Sequence, residues 1–101
     1  RPALIVQRDD LNSGISQVLL AMITSNMSRG GHSARVTVLL ETSLGRASGL
    51  RLDSVIMADN IVTVRENEID SVLGHIPNME SVDQALKYSF GLDEIVEGFI
   101  A

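Results

Sequence analysis

The chain has 101 residues, of which 45% are hydrophobic and none is cysteine. This length suits one domain with a single core, and its apolar runs are shorter than the roughly 18 residues of a membrane-spanning helix. Without cysteine the chain has no disulfides, no thiolate nucleophile and none of the usual zinc sites. We therefore expect one soluble domain in a reducing compartment, the cytoplasm.

Basic and acidic residues separate along the chain, although the net charge is −5. Residues 1–51 hold six arginines against three acids, whereas residues 52–101 hold two basic residues against ten acids. This asymmetry favours an anionic partner for the first half and a solvated, acidic scaffold for the second. Seven of the eight basic residues are arginine. The planar guanidinium suits phosphate, but a surface biased toward arginine explains the composition nearly as well.

Two apolar runs open the chain. The first spans residues 1–6 and begins with Arg1; the second spans residues 18–25 and ends in the two hydroxyls of Thr24 and Ser25. Both runs are short, rich in Val, Ile and Leu, and bounded by polar residues, so they predict buried strands. We expect Arg1 and Thr24 to meet at one end of this pair.

The next segments alternate between loops and strands. Residues 7–14 are polar and predict a loop or one short helical turn, and residues 25–34 predict a flexible, positively charged loop. Residues 35–40 resume the pattern of a strand, and residues 41–49, with two glycines and two serines, predict another loop.

The middle of the chain predicts further strands. Residues 50–52 indicate a brief strand, and residues 54–58 and 61–64 indicate two stronger ones. Only Asp59 and Asn60 separate the last two. This spacing is compatible with a tight reversal or with a bend inside one long strand.

Helical spacing begins after residue 65. Four apolar residues at i, i+3, i+4 and i+7 predict a helix that ends at Pro77: Ile69, Val72, Leu73 and Ile76. Asn78 is a capping residue for a second helix, and Gly91 is its stop signal. Residues 92–100 predict a last helical turn or two, with apolar side chains inward: Leu92, Ile95, Val96 and Phe99.

Strands followed by helices predict an α+β fold, in which a small, strongly bent antiparallel sheet or partial barrel carries C-terminal helices. A small sheet leaves an edge that must be covered, and a core of this size gives a modest stability margin. Both considerations favour a dimer.

The titratable residues give few further signals. The acids Asp9, Asp10, Glu66, Glu68 and Asp70 lack the spacing of a metal site, so we expect solvated faces and no metal. His32 is open to three interpretations: a general base, a plain surface histidine, or a residue that stacks on a nucleobase. His75 is expected to be structural.

Several of these segments, in this order, resemble the MazF/PemK family of toxin endoribonucleases. They are Arg-Pro-Ala-Leu-Ile-Val at residues 1–6, the strand ending in Ile-Thr-Ser at 23–25, the basic loop, Asp-Ser-Val-Ile-Met-Ala-Asp-Asn-Ile at 53–61, and the helix at 83–92. The resemblance spans nearly the whole chain. Because the family pattern begins earlier, with another strand and a Gly-rich loop, we expect residues 1–101 to be a single domain cropped at its N-terminus, with residues 92–101 as a short helical or extended tail.

The resemblance implies a cytoplasmic homodimer with a small SH3-like antiparallel β-barrel. Such a protein would cut single-stranded RNA without a metal or other cofactor, be neutralised by a cognate acidic antitoxin, and contact DNA only through an antitoxin complex, with no membrane partner. Arg1 and Thr24 would be the catalytic pair, and Asp59 an auxiliary residue. The implied RNA-binding residues follow the second strand: Ser25, Asn26, Arg29, His32 and Arg35.

A second hypothesis is a non-catalytic interaction module on the same fold. It would be a gyrase poison or an inactivated toxin that only binds its antitoxin. Gyrase poisons of this fold rely on a C-terminal Trp, and this chain has no Trp. RNA cleavage would support the first hypothesis, whereas binding of an acidic peptide without RNA cleavage would support the second.

Overall fold

The computed structural model describes residues 1–8 and 11–101. In this part of the chain one sheet has four antiparallel strands in the spatial order β1-β2-β4-β3. The strands are β1 (Ala3–Ile5), β2 (Gln17–Thr24), β3 (Arg35–Val38) and β4 (Ser54–Arg65). Asp9 and Asp10, which were expected to belong to a solvated face, lie outside the described residues.

A bend in β4 curls the sheet. Residues 54–65 form one continuous strand, so of the two arrangements open at Asp59 and Asn60 the structure has the bend. β2 pairs with both halves of β4, and its register shifts between Ala21, opposite Ile61, and Met22, opposite Met57. The extra residues of β4 form a bulge, which bends the strand and increases its twist.

The core lies between the concave face of this sheet and a C-terminal helix, α2 (Glu80–Phe90). Its buried cluster joins side chains from three strands to one from the helix: Ala21, Ile23, Val38, Ile56 and Val82. Gly91 ends α2 as predicted, with a left-handed φ of 67°. The N-cap is Met79, one residue after the predicted Asn78, although the Glu80 amide donates to Asn78 Oδ1 (2.9 Å). The α+β class is confirmed, with a curled half-barrel and one C-terminal helix among the described residues.

A short helix, α1 (Ser43–Ser48), replaces the loop predicted for residues 41–49. Thr42 Oγ1 accepts from the Gly45 amide (3.1 Å), and Gly49 ends the helix with a φ of 73°. The helix packs so closely on the preceding chain that a Cβ at Gly45 would lie 2.0 Å from the Leu39 carbonyl oxygen. Two glycines and two serines in nine residues predict a loop. In the structure, Gly45 instead lets a helix pack against Leu39, because glycine has no Cβ.

The predicted helix over residues 69–76 is wrong. A short 3-10 helix, Glu66–Glu68, is followed by chain with no regular structure up to α2. The segment instead packs along the end of α1, where the His75 amide donates to the Ala47 carbonyl (3.0 Å). A Cβ at Gly74 would lie 2.5 Å from the Ser48 carbonyl oxygen. This backbone contact overrides the helical spacing of the apolar side chains, and Val72 is left 82% exposed.

Two smaller predictions are also wrong. Residues 50–52 form no strand, because they are the turn that leads from α1 into β4. Residues 95–101 form no helix, and Leu92, Ile95, Val96 and Phe99 are exposed rather than inward. No helix in the described ranges has the length and apolar content to cross a membrane.

Candidate active site

An open cavity of about 1350 Å³ is bordered by β1, β2, β4 and residues 68–76. Arg1, Thr24 and Ser25 all line it. Ala3 pairs with Met22 in an antiparallel register, and continuing that register by two residues brings Arg1 level with Thr24. Residues 1 and 2 precede β1, so the meeting of Arg1 with Thr24 stays a prediction that follows from extending this register.

Thr24 ends β2 opposite Val55, a fully buried residue of β4. This pairing holds the Thr24 backbone against the core. Its Oγ1 accepts a hydrogen bond from the backbone amide of Asn26 (3.1 Å). A hydroxyl that accepts through its oxygen keeps its hydrogen for another partner, so half-buried Thr24 can donate to a ligand in the cavity.

Arg1 is exposed at the entrance of β1. Within residues 1–8 and 11–101 its guanidinium has no hydrogen-bonded or ionic partner. A guanidinium offers five N–H donors and stays charged at every physiological pH. Arg1 and Thr24 thus give the cavity a permanent cation and a hydroxyl donor, and both groups can bind an anionic oxygen.

The other predicted RNA-binding residues lie outside this cavity, in the segment that joins β2 to β3. Asn26 caps a short 3-10 helix, Met27–Arg29, because its Oδ1 accepts from the amide (3.2 Å) and the hydroxyl (2.7 Å) of Ser28. Arg29 is exposed. The segment that was predicted to be flexible is therefore organised by its own side chains.

Arg35 and Asp59 form a two-pronged ion pair between β3 and β4. Arg35 Nε donates to Asp59 Oδ1 (2.8 Å) and Nη2 donates to Oδ2 (2.7 Å), while Nη1 donates to the Arg29 carbonyl (2.9 Å). The hydrogen bond from Arg35 lowers the pKa of the Asp59 carboxyl, and the same bond raises the pKa of Arg35. The Arg35 guanidinium is therefore used in hydrogen bonds within the protein.

His32 is also used locally. Its Nδ1 accepts from the backbone amide of Ala34 (3.0 Å), and its ring meets the edge of Tyr88 with 5.9 Å between centroids. Because Nδ1 accepts this hydrogen bond, it is not free to accept a proton from RNA. His32 therefore joins the segment before β3 to α2, away from Arg1 and Thr24.

The cavity is also lined by Arg51, for which the sequence predicts no role, and by His75, which was expected to be structural. Arg51 lies in the turn between α1 and β4, and His75 in the chain that packs on the end of α1. Neither belongs to a motif, so only their closeness to the end of β2 in the fold reveals them. Among the described residues, no three His, Asp or Glu side chains are grouped so that they could hold a metal ion.

Comparison with known protein families shows which family this chain belongs to. The model of a family described as PemK-like, MazF-like toxin of type II toxin–antitoxin system matches residues 1–90. The chain belongs to this toxin family. No curated protein matches it in sequence.

Solved structures resemble this toxin-family chain over most of its length. The Mycobacterium tuberculosis toxin MazF-mt6 has a TM-score of 0.73 and 24% identity, covering 90% of this chain and 86% of its own, which shows the shared fold. An endoribonuclease in complex with its cognate antitoxin, from a mycobacterial species, has a TM-score of 0.73 and 26% identity, covering 90% and 81%. An endoribonuclease from a mycobacterial species has a TM-score of 0.71 and 25% identity, covering 89% and 79%.

Proposed function

We propose that this protein is an endoribonuclease toxin that cuts single-stranded RNA without a metal ion and is neutralised by a cognate antitoxin. The observation that supports this most is the register of β1 and β2, which brings Arg1 level with Thr24 at the rim of an open cavity. Family membership supports the assignment, and one similar structure is that of an endoribonuclease bound to its antitoxin.

The proposed reaction is internal attack by RNA on its own backbone. A 2′-hydroxyl oxygen forms a bond to the adjacent phosphorus, the bond to the 5′ oxygen breaks, and the two products carry a 2′,3′-cyclic phosphate and a 5′-hydroxyl. Negative charge develops on the phosphorane oxygens, and a positioned cation and hydroxyl donor lower the free energy of that state. Arg1 supplies two charge-assisted hydrogen bonds and Thr24 a third.

One proton leaves the 2′-hydroxyl and another reaches the departing 5′ oxygen. Arg1, already in contact with the phosphate, is placed to assist the second transfer. The first proton passes to solvent water.

The RNA contacts outside the reacting phosphate form part of the same proposal. Ser25 follows Thr24 in the cavity and is suited to the neighbouring phosphate. Arg29 is the exposed cation of the segment that follows. The contacts predicted for Asn26, His32 and Arg35 remain predictions, and since these side chains already hydrogen-bond within the protein, we expect them to shape the groove more than to bind RNA strongly.

The partners in this proposal are single-stranded RNA, a second copy of the chain and an acidic antitoxin, with DNA reached only through the antitoxin complex. Asp59, the auxiliary residue of the site, would act indirectly by holding Arg35 and through it the Arg29 carbonyl.

Primer extension on a long RNA treated with the purified protein in EDTA tests the proposal. We expect discrete cuts by the wild type, and loss of cutting in Arg1→Ala and Thr24→Val. Arg65→Ala, an exposed arginine at the other end of β4, is the control of equal charge and should cut normally. Uncut RNA together with tight binding of an acidic antitoxin peptide would instead support a non-catalytic interaction module.

A further inference from the structure

Arg51 shares the cavity with Arg1, Thr24 and Ser25. It lies three residues before Ser54, the first residue of β4, and Val55 of the same strand pairs with Thr24. The chain therefore brings Arg51 to the end of the sheet where the proposed catalytic pair lies. We propose that Arg51 binds an RNA phosphate next to the scissile one and so positions the strand; this inference rests on the proposed function.

The turn that carries Arg51 is held on both sides. Before it, the Leu50 amide donates to Ser48 Oγ (3.2 Å); after it, Ser54 Oγ donates to the Leu52 carbonyl (2.7 Å). Gly49 lies so close to residue 73 that a Cβ there would be 2.1 Å from the Leu73 carbonyl oxygen. A fixed backbone restricts where the arginine can reach, which lowers the entropic cost of ordering it on a ligand.

Arg51 is exposed, and it has no ion pair or side-chain hydrogen bond among the described residues. The nearest acid in sequence, Asp53, is turned toward the protein, where its Oδ1 accepts from the Leu40 amide (2.8 Å). Two other arginines of the chain are used internally, Arg35 by Asp59 and Arg46 by the Glu41 carbonyl (2.6 Å). The Arg51 guanidinium is thus left for a ligand from outside.

Phosphate is the ligand that fits this cation. The neighbouring cavity residues offer another guanidinium and two hydroxyls, all of which donate to anionic oxygens. A single RNA strand carries one negative charge per nucleotide, so an arginine beside the reacting phosphate is placed for the next one along. The acids of the cavity wall come from other elements: Glu68 and Asp70 follow the far end of β4, and Asp83 lies in α2.

Binding of short single-stranded 2′-O-methyl RNA of mixed sequence, which cannot cyclise, tests Arg51 apart from cleavage. In the full chain we expect Arg51→Ala to raise the Kd about tenfold and to reduce the slope of log Kd against log salt by about 0.7, the contribution of one phosphate contact on a single strand. Arg51→Lys should keep the salt slope because it keeps the charge. Arg65→Ala is the matched control and should leave both quantities close to the wild-type values.

Cleavage kinetics distinguish positioning from chemistry. Arg51→Ala should raise KM with kcat nearly unchanged, whereas Arg1→Ala should lower kcat, because only the latter loses an interaction made in the transition state. Circular dichroism of each variant checks that it is folded.

Three results would count against Arg51. They are a wild-type Kd and salt slope in Arg51→Ala, an equal loss in Arg65→Ala, or no binding of RNA by the wild type. A wild-type chain that binds RNA through Arg51 but never cuts it would overturn the proposed cleavage and leave the Arg51 contact standing. The two proposals therefore fail in different ways.

Discussion

Two regions contain arginines and other polar side chains: the cavity, and the segment that joins β2 to β3. They differ in whether these side chains are hydrogen-bonded within the protein. In the cavity, Arg1 and Arg51 are exposed, and neither pairs with another described residue. In the segment from Asn26 to Arg35, four polar side chains hydrogen-bond to one another, to the backbone or to Asp59: Asn26, Ser28, His32 and Arg35. The first region leaves its guanidinium donors unused among the described residues, and the second uses most of its polar side chains to hold its own chain.

The difference shows that an arginine is a binding residue only where the fold leaves its donors unused. Arg35 and Arg51 have the same side chain, yet Arg35 directs three nitrogens into the protein and Arg51 directs none into the described residues.

The largest effect is expected at Thr24. Thr24→Val keeps the shape of the side chain and removes the hydroxyl, so we expect the rate of RNA cleavage to fall about 100- to 1000-fold, as for loss of one transition-state donor elsewhere. Thr24→Ser retains the donor and should cut at close to the wild-type rate. Single-turnover cleavage of one RNA substrate measures both, and rapid cutting by the valine variant would remove Thr24 from the site.

Thermal unfolding should distinguish Arg35 from Arg1. Arg35→Ala leaves Asp59 without its partner and frees the Arg29 carbonyl, so we expect Tm to fall by about 5 °C. Arg1→Ala removes no bond within the described residues, so its Tm should stay close to that of the wild type. An equal fall in both variants would contradict the contrast between an internal arginine and one left for a ligand.

The Arg35–Asp59 pair also predicts a pH dependence. Because the bond to Arg35 lowers the pKa of folded Asp59, the unfolded chain takes up this proton at a higher pH than the folded chain. The stabilisation is present above about pH 4, the usual range of aspartate, and is lost as the pH falls through the lower folded pKa. Urea unfolding between neutral pH and pH 2 should therefore show a smaller acid-induced loss in Asp59→Asn than in the wild type.

The control for that comparison is Asp93→Asn in the exposed tail, where no described side chain is paired with the carboxylate. Its acid-induced loss should equal that of the wild type. If Asp59→Asn and Asp93→Asn behave alike, the ion pair does not contribute to acid stability.

The smallest effect is expected at His32. Because its Nδ1 already accepts from the Ala34 amide, His32→Gln should change the cleavage rate by about twofold or less across pH 6 to 8. A shift of the pH–rate profile in this variant would instead identify His32 as the general base and would place the loop in the catalytic machinery.

Local patterns predicted the elements whose stabilising contacts are near in sequence. β2 and α2 follow from short apolar runs and from Asn78 and Gly91, which act within one helical turn of the residues they cap. No helix forms over residues 69–76, because the backbone of this segment hydrogen-bonds to α1, more than 20 residues earlier in the chain. Helix α1 was missed because Gly45, which reads as a loop residue, is required by contact with Leu39.

The candidate site divides in the same way. Arg1 and Thr24 stand at the ends of two recognisable strands, so their meeting could be expected from the sequence. The bond from Arg35 to Asp59 depends on the register of β3 and β4, in which Arg35 lies opposite Met57. No local pattern encodes that register, and Arg51 likewise lies near Thr24 only because β4 pairs with β2.

Sequence patterns alone predicted the family, the α+β class, the main strands, the C-terminal helix and the candidate pair Arg1 and Thr24. These rest on side-chain periodicity, capping residues and motif order, which are properties of neighbouring residues. Which guanidinium groups are hydrogen-bonded within the protein, and which are left for a ligand, follows only from the tertiary structure. That outcome depends on hydrogen-bond partners 24 residues apart in the chain, as for Arg35 and Asp59, and such partners are chosen by strand register and packing.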